Sequence, residues 1–309
     1  MSHTPTIAIC IATYKRPKGL AKLLRSIDTQ TFEFDPPSIE IIVVDNDPER
    51  SSEPAVTAHI SPWPVRYIAE PKRGISHARN TSVNAVSKTT DWIVFIDDDE
   101  YAAPDWLDRL LRAQLAHNAD VIAGPVLGVL PDDAPAWVTR GKFFQRERFA
   151  TGTKRDRAYT NNTLARRSIV QAMDPIFDEA LAFRGGADTF LFKRLHDQGH
   201  TIVWCDEAVV HEDIPASRIN VPWICRRVFR VGTNIAYYAR QLDGPFVGRL
   251  KPLLTALARA LQGLLMLIPS LFMGKHAVVR QLRWLAYAAG LTAGAFGFFY
   301  AEYKAHHGE

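Results

Sequence analysis

Over roughly the first 130 residues, short unbroken apolar runs alternate with helical stripes. Thr6–Ala12 (TIAICIA) predicts a strand covered on both faces. Pro17 suits the first position of a helix. Leu20, Leu23, Leu24 and Ile27 then recur at i, i+3, i+4 and i+7, which is one helical stripe. Ile39–Val44, Val65–Ala69 and Trp92–Ile96 predict three more strands, the last two separated by a helix over Ile75–Lys88. Pro104–His117 predicts another helix, with Trp106, Leu107, Leu110 and Leu111 on one side, and Asp120–Ala123 opens a further strand. Val and Ile runs without alternation mark strands buried on both faces. The expected class is therefore α/β: an open, Rossmann-like, mostly parallel sheet flanked by helices. Ligands of such sheets bind beyond the carboxyl ends of the strands.

The remainder reads differently. Residues 131–175 are less regular, and Arg140–Arg167 holds nine basic side chains against two acidic ones. A second basic stretch carries Arg226, Arg227, Arg230 and Arg240 without an acid. Beyond Pro252 two apolar runs follow, Leu253–Ile268 with 16 residues and Trp284–Tyr300 with 17. As helices they reach about 24 and 26 Å, short of the roughly 20 residues that a bilayer span needs. Lys275, His276, Arg280 and Arg283 lie between them, and a cytoplasmic two-span hairpin would place these on the wrong side. The expectation is an apolar tail lying in the cytoplasmic leaflet, with its cations at lipid headgroups. A buried helical subdomain or a dimer interface is the alternative.

Hydrophobic residues at 47% and charged residues at 23% exclude a disordered chain. A net charge of +4 does not mark a nucleic-acid binder. The three cysteines, Cys10, Cys205 and Cys225, are far apart, which argues against a disulfide scaffold or structural zinc and for a reducing compartment. No secretory signal is read, so the catalytic part is expected on the cytoplasmic side.

The candidate chemistry sits at predicted strand ends. Asp97-Asp98-Asp99-Glu100 follows WIVFI directly. Four adjacent acids repel one another, and a hard divalent cation, Mg²⁺ or Mn²⁺, is the natural compensation; a solvated acidic turn is the alternative. Asp45-Asn46-Asp47 follows IEIIVV, where a carboxylate can accept from a base or ribose and where Asp and Asn also simply end strands. Thr13-Tyr14-Lys15-Arg16-Pro17 offers a hydroxyl, a ring and two cations to a nucleotide. No glycine-rich phosphate loop is present, against a dinucleotide enzyme or a P-loop NTPase. In Lys72-Arg73-Gly74-Ile75-Ser76-His77-Ala78-Arg79-Asn80, Gly74 permits a tight turn and the helix amino end is expected to offer N–H groups to an anion. His211 follows a strand-like stretch, where it reads as a late metal ligand or an ordinary loop histidine.

The order I-A-T-Y-K-R-P, V-V-D-N-D, R-G-I-S-H-A-R-N, F-I-D-D-D-E resembles the nucleotide-sugar half of family 2 glycosyltransferases with the GT-A fold, over about residues 5–240. Gly185-Gly186-Ala187-Asp188-Thr189 and Trp223-x-x-x-Arg227 resemble the acceptor motifs of bacterial exopolysaccharide transferases of the succinoglycan type. The resemblance implies a donor-binding half over 1–130, an acceptor half over 131–245 and a membrane-associated helical tail over 246–309. It implies that Thr13, Tyr14 and Arg16 line the nucleotide pocket, that Asp45 meets the base and that Arg79 sits near the diphosphate. Asp97 approaches the ribose or sugar with Asp98 beside it on the substrate side, Asp99 and His211 hold the metal, and Asp188 is the base. Ala187 stands where the family usually carries Glu, while the Asp after it is retained.

The reaction implied is inverting transfer from a nucleoside diphosphate sugar, a UDP-sugar being the commonest donor, to a lipid-linked or glycan hydroxyl at the cytoplasmic face of the inner membrane. Two alternatives stand beside it. A nucleotidyltransferase would be expected to carry a Gly-rich loop after the first strand, which IATYKRP lacks. A non-catalytic membrane-associated assembly protein would bind donor without turnover.

Overall fold

The computed structural model describes residues 4–299. In chain order its elements are β1 (Thr6–Thr13), α1 (Pro17–Asp28), β2 (Ser38–Asp45), α2 (Glu53–Thr57), β3 (Val65–Ala69), α3 (Ile75–Ala85), β4 (Trp92–Phe95), β5 (Glu100–Ala102) and α4 (Trp106–His117). Next come β6 (Val121–Ala123), β7 (Val126–Val129), α5 (Ala136–Gly141), β8 (Lys154–Arg155), β9 (Thr163–Arg166), α6 (Arg167–Gln171) and α7 (Ala187–Asp197). The chain continues through β10 (Ile202–Trp204), β11 (Val210–Asp213), α8 (Val221–Leu242), α9 (Val247–Leu271) and α10 (Lys275–Ala295).

Two compact units divide this chain. The first combines the residues up to Val129 with Arg146–Asp213. It holds an eight-stranded sheet in the order β3-β2-β1-β4-β9-β6-β10-β8. β3, β2, β1 and β4 run parallel, as their unbroken Val/Ile runs predict, while β9 runs antiparallel to both its neighbours. Ile7, Ile9, Ile11, Ile41, Val43 and Val94 are buried, and Leu20, Leu23, Leu24 and Ile27 of α1 pack onto them as one stripe. Register positions the site: Thr13 pairs with Asp45, and Asp45 with Ala69, so β1, β2 and β3 end at one level. A second, three-stranded sheet runs β5-β11-β7.

Helix α3 stops at Ala85 rather than Lys88. The Gln171 amide donates to the carbonyls of Val83 and Val86 at 2.9 and 3.2 Å, a tertiary cap that local sequence does not announce. The short strands β5, β7, β8, β9 and β11 also escape the periodic pattern.

The second unit combines Leu130–Gln145 with the chain from Ile214 onward. The division therefore differs from the expected halves, because α8 packs with α9 and α10. One part of its core joins Val138, Phe143 and Phe144 to Ile224 and Val279. Another is made of small residues, Ala236, Ala256 and Ala288, with Leu291. Gly290 lets α8 and α10 approach closely, since a Cβ there would lie 2.1 Å from the Phe229 carbonyl oxygen.

Helix α9 is longer than the apolar run suggests: 25 residues, about 37 Å, because it continues through Val247–Pro252 and Pro269–Leu271. It is the one helix among the described residues long and apolar enough to cross a membrane. Lys275, His276, Arg280 and Arg283 lie on α10 rather than in a loop. Lys275 stands 4.6 Å over the Trp137 ring and Arg283 5.4 Å over Phe143. Tyr300, the end of the second apolar run, and residues 301–309 of the expected tail lie outside the described residues.

Candidate active site

The β1, β2 and β4 loops meet around the acidic turn. Thr13 Oγ1 donates to Asp98 Oδ2 at 2.9 Å, and the Tyr14 N–H points at the same oxygen at 3.4 Å. Arg16 Nη1 lies 2.9 Å from Asp98 Oδ1 and 3.1 Å from Asp99 Oδ2. Arg79 Nη2 donates to Asp97 Oδ1 at 3.0 Å. Seven of the predicted residues, Thr13, Tyr14, Arg16, Arg79, Asp97, Asp98 and Asp99, are thus one constellation.

The acids find their compensation in arginines. Arg146 adds a third, its Nη2 2.6 Å from Glu212 Oε2. Glu212 is the register partner of Glu100 across β5 and β11, and both are buried. Glu100 accepts the Asp97 N–H at 3.0 Å and so fixes the turn from behind. Repulsion alone therefore does not demand a cation. Burial still raises Asp98 to about 6, with Arg16 opposing and Asp99 adding. Burial likewise raises Asp97, Arg79 opposing while the charges of Asp99 and Asp188 add to it. Glu100 is pushed well above the carboxylate range by burial and then by Asp97. Such perturbed carboxyls are what a charged ligand can rearrange.

Asp45 lies beneath the pocket rather than on its surface. Its carboxylate is buried and accepts from the N–H groups of Asp47 and Ser52 and from the Tyr67 hydroxyl, each at 3.0 Å. Asp47 Oδ2 is buried without a hydrogen-bond partner among the described residues, an acceptor that sequence reasoning passed over. Asn46 was also missed: it donates to the Glu70 and Lys72 carbonyls and accepts the Gly74 N–H at 2.7 Å, tying β2 to the next loop. That loop places the Arg73 guanidinium 4.5 Å over the Tyr14 ring. The amino end of α3 is less open to an anion than expected, because the Ile75 N–H bonds the Ala182 carbonyl at 3.1 Å.

Asp188 opens the first turn of α7, half-buried, its Oδ1 accepting the Thr189 N–H at 2.8 Å. Its charge raises Asp97 and Tyr159, so it lies within electrostatic reach of the donor-side cluster. Ala187 is fully buried, leaving no solvated room for the family's usual carboxylate. His211 sits on β11 opposite Tyr101 and stacks on that ring at 5.2 Å. Its Nδ1 is buried without a hydrogen-bond partner among the described residues, and burial lowers its pKa.

Among the described residues no group of three His, Cys, Asp or Glu forms a metal cage. The partly exposed Asp99 fits an ion that takes most of its ligands from phosphate oxygens.

Of the nine basic residues in the middle of the chain, several are paired internally. Arg148 grips Asp206 with two bonds of 2.8 Å, Arg157 bonds Asp156, and Arg166 reaches Asp120 at 3.3 Å. In the second unit Arg227 lies 5.4 Å over Trp223.

Residues 8–173 match the model of glycosyl transferase family 2. The succinoglycan biosynthesis protein ExoM of Rhizobium meliloti is 35% identical over 75% of this chain and 74% of its own. The glycosyltransferase AglE of Haloferax volcanii is 23% identical over 75% and 73%. The structure of S. aureus TarS 1-349 in complex with UDP superposes over 96% of this chain and 93% of its own, with a TM-score of 0.55 at 14% identity. Its complex with UDP-GlcNAc gives 0.54 at 15%. These two show the shared fold.

Proposed function

The chain belongs to glycosyl transferase family 2, and on that premise we propose that it moves a sugar from a nucleoside diphosphate sugar to a hydroxyl, with inversion. The acceptor proposed is a lipid-linked or polysaccharide glycan of cell-surface or exopolysaccharide synthesis, in keeping with the succinoglycan role in ExoM's name. The donor proposed is a UDP-sugar, in keeping with the UDP and UDP-GlcNAc held by TarS. One observation carries the reading: Asp188, on a separate helix, lies within electrostatic reach of the acidic turn that gathers Thr13, Arg16 and Arg79.

Tyr14, backed by Arg73, offers a face to the base, with Asp45 shaping that side from below. Asp188 Oδ2, the oxygen opposite the Thr189 contact, accepts the proton of the attacking hydroxyl. The hydroxyl oxygen bonds the anomeric carbon as the bond to diphosphate breaks on the other face, which inverts that centre. Arg16 and Arg79 meet the charge growing on the diphosphate. Asp99 would hold a divalent cation, Mn²⁺ or Mg²⁺, which would supply Lewis-acid stabilisation of that leaving group, whereas His211, stacked on Tyr101, is not brought to it. Glycosidases need a second carboxyl to protonate a poor leaving group; a diphosphate departs without one.

The tail supports work at the membrane, and we assign it to the cytoplasmic face. On α9 small residues such as Gly248, Ala256 and Gly263 face inward while leucines face out, the reverse of a helix made for water.

Melting with UDP, GDP, dTDP and CMP, with and without Mn²⁺, tests the donor site. Saturation at about 100 times the dissociation constant adds roughly 2.7 kcal/mol, several degrees. A Mn²⁺-dependent shift with one nucleotide, lost in Asp99→Ala, is expected. No shift with any of them refutes the donor-site assignment.

A further inference from the structure

Residues 177–182 belong to none of the sequence motifs, yet they are laced onto α3. Asn80 closes a two-way clamp on Phe177: Nδ2 donates to the Phe177 carbonyl and Oδ1 accepts its N–H, both at 2.9 Å. The Phe177 ring is fully buried, edge-on to Phe95 at 5.9 Å. Two residues on, Glu179 accepts from Lys72 at 2.7 Å and lies 3.3 Å from His77 Nδ1. Ala182 then caps α3 through Ile75 and sits against Gly74, where a Cβ would stand 2.5 Å from the Ala182 Cβ. Gly74 has φ +132°, so the contact needs glycine twice over. From there the chain turns sharply. The N–H groups of Arg184 and Gly185 both bond the Leu181 carbonyl, Gly185 and Gly186 take φ of 76° and 89°, and α7 begins with Asp188 as its second residue.

One helix thus holds both sides of the site. Arg79 of α3 grips Asp97, and its neighbour Asn80 grips the strap that leads into Asp188. We propose that Asn80 is a positioning residue, which seats the 177–182 strap on α3 and so fixes where Asp188 stands against the donor. This rests on the assignment of Asp188 as the base. Asn80 touches no reacting atom; it acts through the backbone of Phe177. Its loss leaves one N–H and one carbonyl unpaired in a buried place. The strap then loosens while the donor-side contacts stay.

The test uses the full chain as wild type, Asn80→Ala, Asn80→Asp and Asp188→Asn. Nucleotide release is measured from UDP-glucose, UDP-galactose, UDP-N-acetylglucosamine and GDP-mannose. Melting with UDP and Mn²⁺ and hydrogen exchange over 178–186 are measured alongside. A displaced base costs on the order of a hundredfold, so Asn80→Ala should lower kcat about ten- to a hundredfold. Donor KM and the UDP melting shift should stay near wild type, and exchange over 178–186 should quicken. Asn80→Asp still accepts the Phe177 N–H but cannot donate, and should fall between. Wild-type turnover or unchanged exchange in Asn80→Ala overturns the proposal. So does a loss of UDP binding in step with kcat, which is what general unfolding of the site would give. If Asp188→Asn keeps turnover, the base assignment fails instead. Should Asn80→Ala not fold, Asn80→Asp and the exposed Glu179→Gln carry the same readouts.

Discussion

The outward face of α9 makes a quantitative prediction. Leu250, Leu254, Leu257, Leu261, Leu264, Ile268 and Leu271 recur at spacings of three and four and are all exposed. Leu257, Leu261 and Leu264 are 58%, 51% and 57% exposed, so replacing them by Gln removes little packing inside the second unit. A leucine fully withdrawn from water contributes about 1.5–3 kcal/mol. With roughly half of each side chain still available, three of them contribute about 3 kcal/mol to transfer into lipid. That is a loss of roughly a hundredfold in partition, at 1.4 kcal/mol per tenfold. The assay is flotation with vesicles of phosphatidylglycerol and phosphatidylethanolamine, with melting followed by circular dichroism. The triple variant should melt within a few degrees of wild type and no longer float at lipid concentrations where wild type does. Equal flotation would refute the lipid-facing assignment. A collapse in melting would show that these leucines pack against protein.

Two further outcomes follow from the geometry. Because Asp98 holds its proton to about 6 in the folded chain and to an ordinary 3.8 when unfolded, folding is favoured below 3.8 and loses that contribution as pH rises through 6. The change is at most about 3 kcal/mol for this buried carboxyl, and urea midpoints from pH 4 to 7 in EDTA should show it in wild type but not in Asp98→Asn; parallel curves would contradict it. Gly290→Ala forces a methyl against the Phe229 carbonyl, and should destabilise by about 1–3 kcal/mol despite alanine's better helix propensity, read as a lowered Tm. An unchanged or raised Tm would mean that α8 and α10 do not approach so closely.

The parallel half of the sheet is legible because its signal is local. Unbroken Val and Ile runs, a leucine stripe on α1 and polar clusters at strand ends each occupy a single short window. The residues gathered at the strand ends could be named for the same reason. What escaped depends on partners far away in the chain. Gln171 ends α3 from more than eighty residues on, and Arg146 reaches Glu212 across sixty-six. Strands β5 and β11 are too short for a period, and only their pairing brings Glu100 opposite Glu212. Asp45 shows the opposite limit. Its place in the motif was plain, but only the three donors around it show a carboxylate employed inside the loop.

The acidic turn shows why chemistry is harder to read than fold. From the sequence, four adjacent acids ask for positive charge, and an ion is the simplest source. In the folded chain Arg16, Arg79 and Arg146 answer first, each drawn from a different segment. Their contacts leave the carboxyl pKa values raised, since burial and the neighbouring acids oppose ionisation more strongly than the guanidiniums favour it. A diphosphate entering with its own cation would compete for both partners at once, taking arginines from aspartates and giving Asp99 a new counter-charge. Arg79 gives Asp97 one Nη2 contact, so a phosphate would share its guanidinium with that carboxylate. On the proposed function, donor binding changes the charge that Asp97 meets, because Arg79 is its ion-pair partner and Asp188 adds to it from the other helix.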